Sequence, residues 1–241
     1  MFDHVGIRVA DREASERFYA TVLNTLGIEQ TQSLEWLAEW DDFALSPASA
    51  DKPVTRRLHV GFAAPSRDHV DEFWRSGTRA GYRDDGAPAE RPQYAPDYYG
   101  AFLLDPDGNS VEAMHHAGMR ARGIDHLWIR VADVGAAKRF YEIVAPYAGL
   151  ELGINTPARA QFRGSEGGSF SLVAGNATAH LHVAFPATDN ATVDAFHRAA
   201  TAAGYRDNGA PGERPEYHAG YYGAFVYDPD GTNVEVVNHN D

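Results

Sequence analysis

The chain has 241 residues, 44% of them hydrophobic, a net charge of −13 and no cysteine. That length suits one large domain or two of about 120 residues. The acidity argues against nucleic-acid or anionic-membrane partners, and the lack of cysteine excludes disulfides, thiolate metal sites and cysteine nucleophiles. No apolar run approaches the roughly 20 residues of a membrane span. The opening MFDHVGIRVAD has neither the basic nor the long apolar region of a signal peptide, so a cytoplasmic protein is expected.

HVGIRVAD predicts a strand with Val5, Ile7 and Val9 on one face and His4, Gly6 and Arg8 on the other. Asp11 caps a helix whose Phe18, Val22 and Leu26 form one stripe, and Gly27 ends it. Short strands follow around 34–40 and 42–45. RLHVGFAAPS then repeats the scheme, with Leu58, Val60 and Phe62 opposite His59 and Gly61. Ser66 caps a second helix carrying Val70, Phe73, Trp74 and Gly77, and Gly81 stops it. Two more strands meet at DPDG, read as a turn, with Pro106 supplying its φ and Asp107 and Gly108 suiting the next positions.

The chain then starts again. FDHVGIRVADREASERFY returns as IDHLWIRVADVGAAKRFY, LHVGF as LHVAF, and YYGAFLLDPDGNSVE as YYGAFVYDPDGTNVE 123 residues later. Two homologous domains, about 1–118 and 123–241, are therefore expected, joined by the short basic segment AGMRAR. Each is itself doubled, giving four β-α-β-β-β modules in an α+β fold. Helices cover the aliphatic face of mixed sheets. The opposite face carries His, Arg and Glu and curls into a cup that holds a small molecule.

The cup-side candidates are His4, His59 and Glu112 in the first half and His126, His182 and Glu235 in the second. Two histidines and a carboxylate suit a divalent metal with positions left open, and mid-strand placement fixes their direction. Mn, Fe, Ni, Co and Zn all fit; no organic cofactor is indicated. Closure of a cup within each half is favoured, because the second module follows the first without a long linker. Exchange between halves would instead join His4 with His182 and Glu235, and His126 with His59 and Glu112. Arg8 and Arg130 share the cup face, either to bind an anionic substrate or to pair with a nearby acid. Arg91 and Arg214 stand near the mouth in a loop read as salt-bridged. One tyrosine of each pair, Tyr98/Tyr99 and Tyr221/Tyr222, faces inward; His115, His116 and His239 are solvated or back the ligands. Trp128 takes the place of Gly6, so the two cups differ in volume.

DHVGIRVAD with its following helix, and DPDGNSVE closing the half, resemble the vicinal oxygen chelate superfamily, which includes glyoxalase I, extradiol dioxygenases, fosfomycin-resistance transferases and bleomycin-resistance proteins. The resemblance spans nearly the whole chain. It implies glyoxalase-like domains of paired βαβββ modules, with metal ligands from first and last strands: His4, His59, Glu112, His126, His182 and Glu235. It implies catalytic roles for Glu112, Glu235, Tyr98 and Tyr221, and a substrate surface from Arg8, Arg130, Arg91, Arg214, Trp128, Phe102 and Phe225. Glyoxalase I has a fourth ligand, a Glu, where DDFALS and GSFSLV place Ala44 and Ser171. The extradiol branch has a tyrosine where Phe102 and Phe225 stand, and a histidine where Gln93 and Glu216 stand. The expectation is thus a metal-dependent isomerase, lyase or transferase, with a ligand-sequestering resistance protein as the alternative and catechol cleavage disfavoured. The expected partner is a small molecule, and the chain a monomer or homodimer.

Overall fold

A computed structural model describes residues 1–165 and 167–240. The alternation at the start of the chain becomes strand β1 (His4–Val9), with Val5, Ile7 and Val9 buried. Helix α1 (Arg12–Leu23) follows, its first turn capped by the Asp11 carboxylate, which accepts from the Ala14 N–H at 2.9 Å. A single tighter turn, Asn24–Leu26, ends at Gly27 with φ +73°. The next stretch resolves into β2 (Gln32–Leu34), β3 (Leu37–Trp40) and β4 (Phe43–Pro47).

The second module comprises β5 (His59–Ala63), α2 (Arg67–Arg79), β6 (Arg83–Glu90), β7 (Tyr99–Leu104) and β8 (Ser110–His115). The third has β9 (Ile124–Val131), α3 (Val134–Ala148), β10 (Leu150–Thr156), β11 (Arg159–Gly164) and β12 (Ser169–Ala174). The fourth has β13 (His182–Pro186), α4 (Asn190–Ala202), β14 (Asp207–Glu213), β15 (Tyr222–Tyr227) and β16 (Asn233–Asn238). The β-α-β-β-β reading therefore holds in all four modules.

The pairing of modules differs from the favoured expectation. One eight-stranded sheet runs β14-β15-β16-β13-β1-β4-β3-β2, and the other runs β10-β11-β12-β9-β5-β8-β7-β6. The first module thus shares its sheet with the fourth, and the second with the third. β1 joins β13 antiparallel with His4 opposite Ala184, and β5 joins β9 with His59 opposite Trp128. The reason lies in the core. Within each half the helices pack on one another, α1 on α2 and α3 on α4. Phe43 meets Phe62 at 5.4 Å and Phe170 meets Phe185 at 5.9 Å. Gly77 of α2 is crowded by Val22 of α1 and Leu103 of β7. The apolar faces of both modules in a half are spent on each other, so their polar faces point apart. Each polar face is completed by a module from the other half.

Two smaller expectations also change. Ser66 stands at the start of α2 but makes no capping bond; its hydroxyl instead meets His69 Nδ1 at 2.8 Å. DPDG is more than a turn. Asp105 is buried and accepts from the Asp107 and Asn109 N–H groups and the Tyr19 hydroxyl, while Asp107 accepts from the Ala10 N–H at 2.9 Å. The second copy repeats this: Asp228 accepts from Tyr141, and Asp230 from the Ala132 N–H. Each turn pins the first strand-helix junction of its half to the last hairpin. No helix among the described residues is long and apolar enough to cross a membrane.

Candidate metal centres

Because β1 lies beside β13, and β13 beside β16, side chains from three adjacent strands converge on one point. In the first cup these are His4, His182 and Glu235. His4 Nε2 and His182 Nε2 stand 3.0 Å apart, and Glu235 Oε2 lies 3.7 Å and 3.2 Å from them. In the second cup, His59 and His126 Nε2 are 3.2 Å apart, with Glu112 Oε2 at 3.0 Å and 3.3 Å. These are the cross-half combinations, not the within-half sets.

The surrounding hydrogen bonds orient every ligand. His4 Nδ1 is 2.7 Å from Asp3, and His126 Nδ1 is 3.2 Å from Asp125. His182 Nδ1 is 3.1 Å from the Asn233 carbonyl oxygen. His59 Nδ1 is 3.1 Å from Ser110 Oγ, whose own proton goes to Asp85. At His4, His59 and His126 an acceptor at Nδ1 favours the tautomer whose Nε2 lone pair faces the centre, while His182 Nδ1 also has the Asn233 side-chain amide nitrogen at 2.8 Å. Tyr98 donates to Glu112 Oε1 at 2.8 Å and Tyr221 to Glu235 Oε1 at 2.6 Å, leaving Oε2 turned inward. Both carboxylates are only 1% exposed. Glycines make the room: a Cβ at Gly100 or Gly223 would lie 2.6 Å or 2.5 Å from the glutamate Oε1. That is why the repeated YYGAF needs its glycine.

In the second centre Glu112 and His126 stabilise each other's charged forms. Burial would raise the Glu112 pKa, but hydrogen bonds and charge from His126 and His59 hold it at about 2. Burial would lower that of His126, yet Asp125 and Glu112 lift it to about 9. His4 is likewise raised, against burial, by Asp3 and Glu235. Two imidazoles and a carboxylate are the donors of a borderline divalent ion, and donors each about 2.0–2.2 Å from one ion would stand roughly 3 Å apart, as these do. The residues present fit such an ion.

The fourth-ligand position is defined by register. Glu112 lies opposite Gly61, and Glu235 opposite Ala184, each two residues past a ligand histidine. The matching partners of Gly6 and Trp128 are Ala44 and Ser171. Neither brings a carboxylate.

Other expected residues are placed as follows. Tyr98 and Tyr221 face their cups, whereas Tyr99 and Tyr222 bond Asp71 and Asp194 on the helices. Phe102 and Phe225 flank His59 and His182, with ring centroids 5.9 Å and 6.2 Å away. Arg91 and Arg214 form no salt bridge among the described residues, unlike the expectation. They bond the Ala87 and Ala210 carbonyls and lie over Phe102 and Phe225. Arg130 donates to the Arg57 carbonyl rather than to an acid, and the Arg8 side chain has no acid partner among the described residues. His239 bonds Asp3 at 2.7 Å and so backs His4, while His116 stacks on Tyr98. His115 bonds the Ala64 carbonyl.

The second cup opens into a cavity of about 960 Å³ whose lining includes His59, Phe102, Tyr98, Trp128 and Arg91. Sequence reasoning missed Asp3 and Asp125, although the dipeptide DH at both repeat starts carried the signal. It also missed Arg159 and Gln161, which line this cavity from β11.

Residues 1–113 and 123–236 each match the Glyoxalase/Bleomycin resistance protein/Dioxygenase superfamily, and the chain belongs to that family. YqjT, an uncharacterized protein of Bacillus subtilis, is 31% identical over 122 residues, 45% of this chain and 94% of that one. Glyoxalase I from Zea mays has the same fold, with a TM-score of 0.71 and 19% identity over 99% of this chain and 92% of its own. A glyoxalase/bleomycin resistance protein from Albidiferax ferrireducens is 32% identical over 48% of this chain and 99% of its own, with a TM-score of 0.45.

Proposed function

We propose that the protein is a divalent-metal-dependent enzyme acting on a small substrate with two adjacent oxygens, by a nonoxidative isomerase, lyase or transferase reaction. The observation that carries this reading is the convergence of two His-His-Glu sets, each with its possible ligand atoms gathered within 4.8 Å of one another. A bound ion supplies Lewis acidity to a substrate oxygen. The chain's own residues do the rest. His4, His182 and Glu235, and His59, His126 and Glu112, hold the ion. Tyr98 and Tyr221 fix the carboxylates, and Phe102 and Trp128 line the second cup beside His59. Ala44 and Ser171 leave coordination room for substrate oxygens. Phe102 and Phe225 bring no hydroxyl to the ligands, which disfavours catechol cleavage, since ring opening needs acid–base groups around the diol.

The test is reconstitution with Mn, Fe, Ni, Co or Zn, then elemental analysis and turnover on α-ketoaldehyde adducts, epoxides and catechols. Two ions per chain are expected, with one lost in Glu112→Gln and one in Glu235→Gln. No bound ion in the reconstituted wild type would overturn the reading. Robust oxygen uptake with a catechol, dependent on either glutamate, would replace it with an oxidative one.

A further inference from the structure

Strand β11 walls the second cup, and Arg159, Gln161 and Arg163 all line its cavity. The Arg159 guanidinium lies over the Trp128 ring, 4.7 Å from its centroid. It donates to Ser171 Oγ from Nε at 3.1 Å and from a terminal nitrogen at 2.9 Å. Ser171 stands at the fourth-ligand position, so this cation is tied to the row where a substrate oxygen would enter. Arg163 donates from Nε to Gln161 Oε1 at 3.0 Å. Neither guanidinium meets a carboxylate among the described residues. The cavity's acids are already engaged: Glu112 by its histidines and Tyr98, Asp125 by His126, Asp85 by Ser110. Burial, and then repulsion from Arg163, lower the Arg159 pKa.

The first cup has the opposite wall. Register places Leu37 where the second cup has Arg159, and Glu39 where it has Gln161.

We propose that Arg159, stacked on Trp128, is an anion-recognition group that makes the second cup the site for a small 2-hydroxy or 2-oxo carboxylate, a preference the first cup lacks. The adjacent-oxygen part of this assignment rests on the ion reading above; the carboxylate part rests on Arg159 alone. An oxygen entering beside Ser171 meets a guanidinium, which favours an oxygen that carries negative charge. The flat Trp128 face and the rings of Phe102 and Tyr94 accept the rest of the ligand.

The experiment is calorimetric titration of the full chain with mandelate and with mandelamide, which share their adjacent oxygens and differ in charge. It is run with and without reconstituted ion, on wild type, Arg159→Gln and Arg159→Lys. Elemental analysis and thermal melts show whether the variants keep their ions and fold. Expected are one mandelate per chain, a preference over mandelamide of about tenfold or more, collapse of that preference in Arg159→Gln and partial retention in Arg159→Lys. Equal affinities in wild type, a preference surviving Arg159→Gln, or no binding of either ligand overturns the proposal. Failure of the ion reading shows separately, as absent metal, while the ratio on ion-free protein still reports on Arg159.

Discussion

The two cups hold the same three ligands in nearly the same arrangement and surround them differently. In the first, Gly6, Leu37, Glu39 and Ala44 stand where the second has Trp128, Arg159, Gln161 and Ser171. Burial raises the pKa of Glu39, partly offset by His4, and this acid stands where the second cup has Gln161. On the proposed reading, the residues that hold the ion repeat while those that select the ligand differ, and Arg159 stands on a strand that carries no histidine or glutamate of either set. The histidines stand on the first strand of every module and the glutamates on the last strand of the second and fourth, and these positions repeat; the third strands β3 and β11, with Gly6/Trp128 and Ala44/Ser171 beside them, carry the differences. Two His-His-Glu sets of nearly the same geometry thus stand in cups with different walls.

The largest expected effect removes one centre at a time. Glu112→Gln and Glu235→Gln should each weaken one ion by more than about 100-fold and take the count from two to one per chain by elemental analysis. If either variant lost both ions, the cups would not be independent. Next, Leu37→Arg combined with Glu39→Gln should copy the second wall into the first. Mandelate stoichiometry should rise from one to two in calorimetry; an unchanged value would mean that the wall does not select the ligand.

A smaller effect is expected at the tyrosines. Tyr98→Phe and Tyr221→Phe remove the hydroxyl that holds each glutamate, and each should weaken its own ion about tenfold in competitive chelator titrations. Equal behaviour of the two would show that the centres are equivalent beneath their different walls.

The smallest prediction compares the two turns. Asp105 has the Asn109 side chain as an extra donor at 3.1 Å, and Tyr19 at 3.0 Å. Asp228 has Thr232 in place of Asn109, and Tyr141 only at 3.4 Å. Burial raises Asp228 from 3.8 to about 6, against the main-chain donors of Thr232 and Asp230. An acid with a raised folded pKa contributes stability that is complete below pH 3.8 and lost as pH rises through about 6. Thr232→Asn should recover about 1 kcal/mol at pH 7, with the gain shrinking below pH 6 in denaturant melts. A gain independent of pH would place the effect elsewhere than on Asp228.

Much of this was legible because the sequence repeats. Period-two alternation located the strands, and each ligand residue stood out as polar on a strand whose other face was aliphatic. The partnership of modules was not legible. It depends on which apolar faces pack together, and both halves offered the same residues to either arrangement. Arg159 was hidden for a related reason. It lies on a wall strand whose two copies, LAEW and RAQF, resemble each other too little to align by eye. Its importance comes from Ser171 and Trp128, which lie on other strands.

The crossed partnership also orders the chain in time. Everything in the second cup comes from one continuous stretch, from His59 on β5 to Ala174 on β12. The first cup joins β1 to β13, so His4 must wait for His182. During synthesis the inner stretch has both its modules before β13 exists, while β1 has an unpaired edge. Closing so long a loop is slow relative to local pairing. Until β13 is made, β1 has one unpaired edge, and an exposed strand edge invites pairing with another chain.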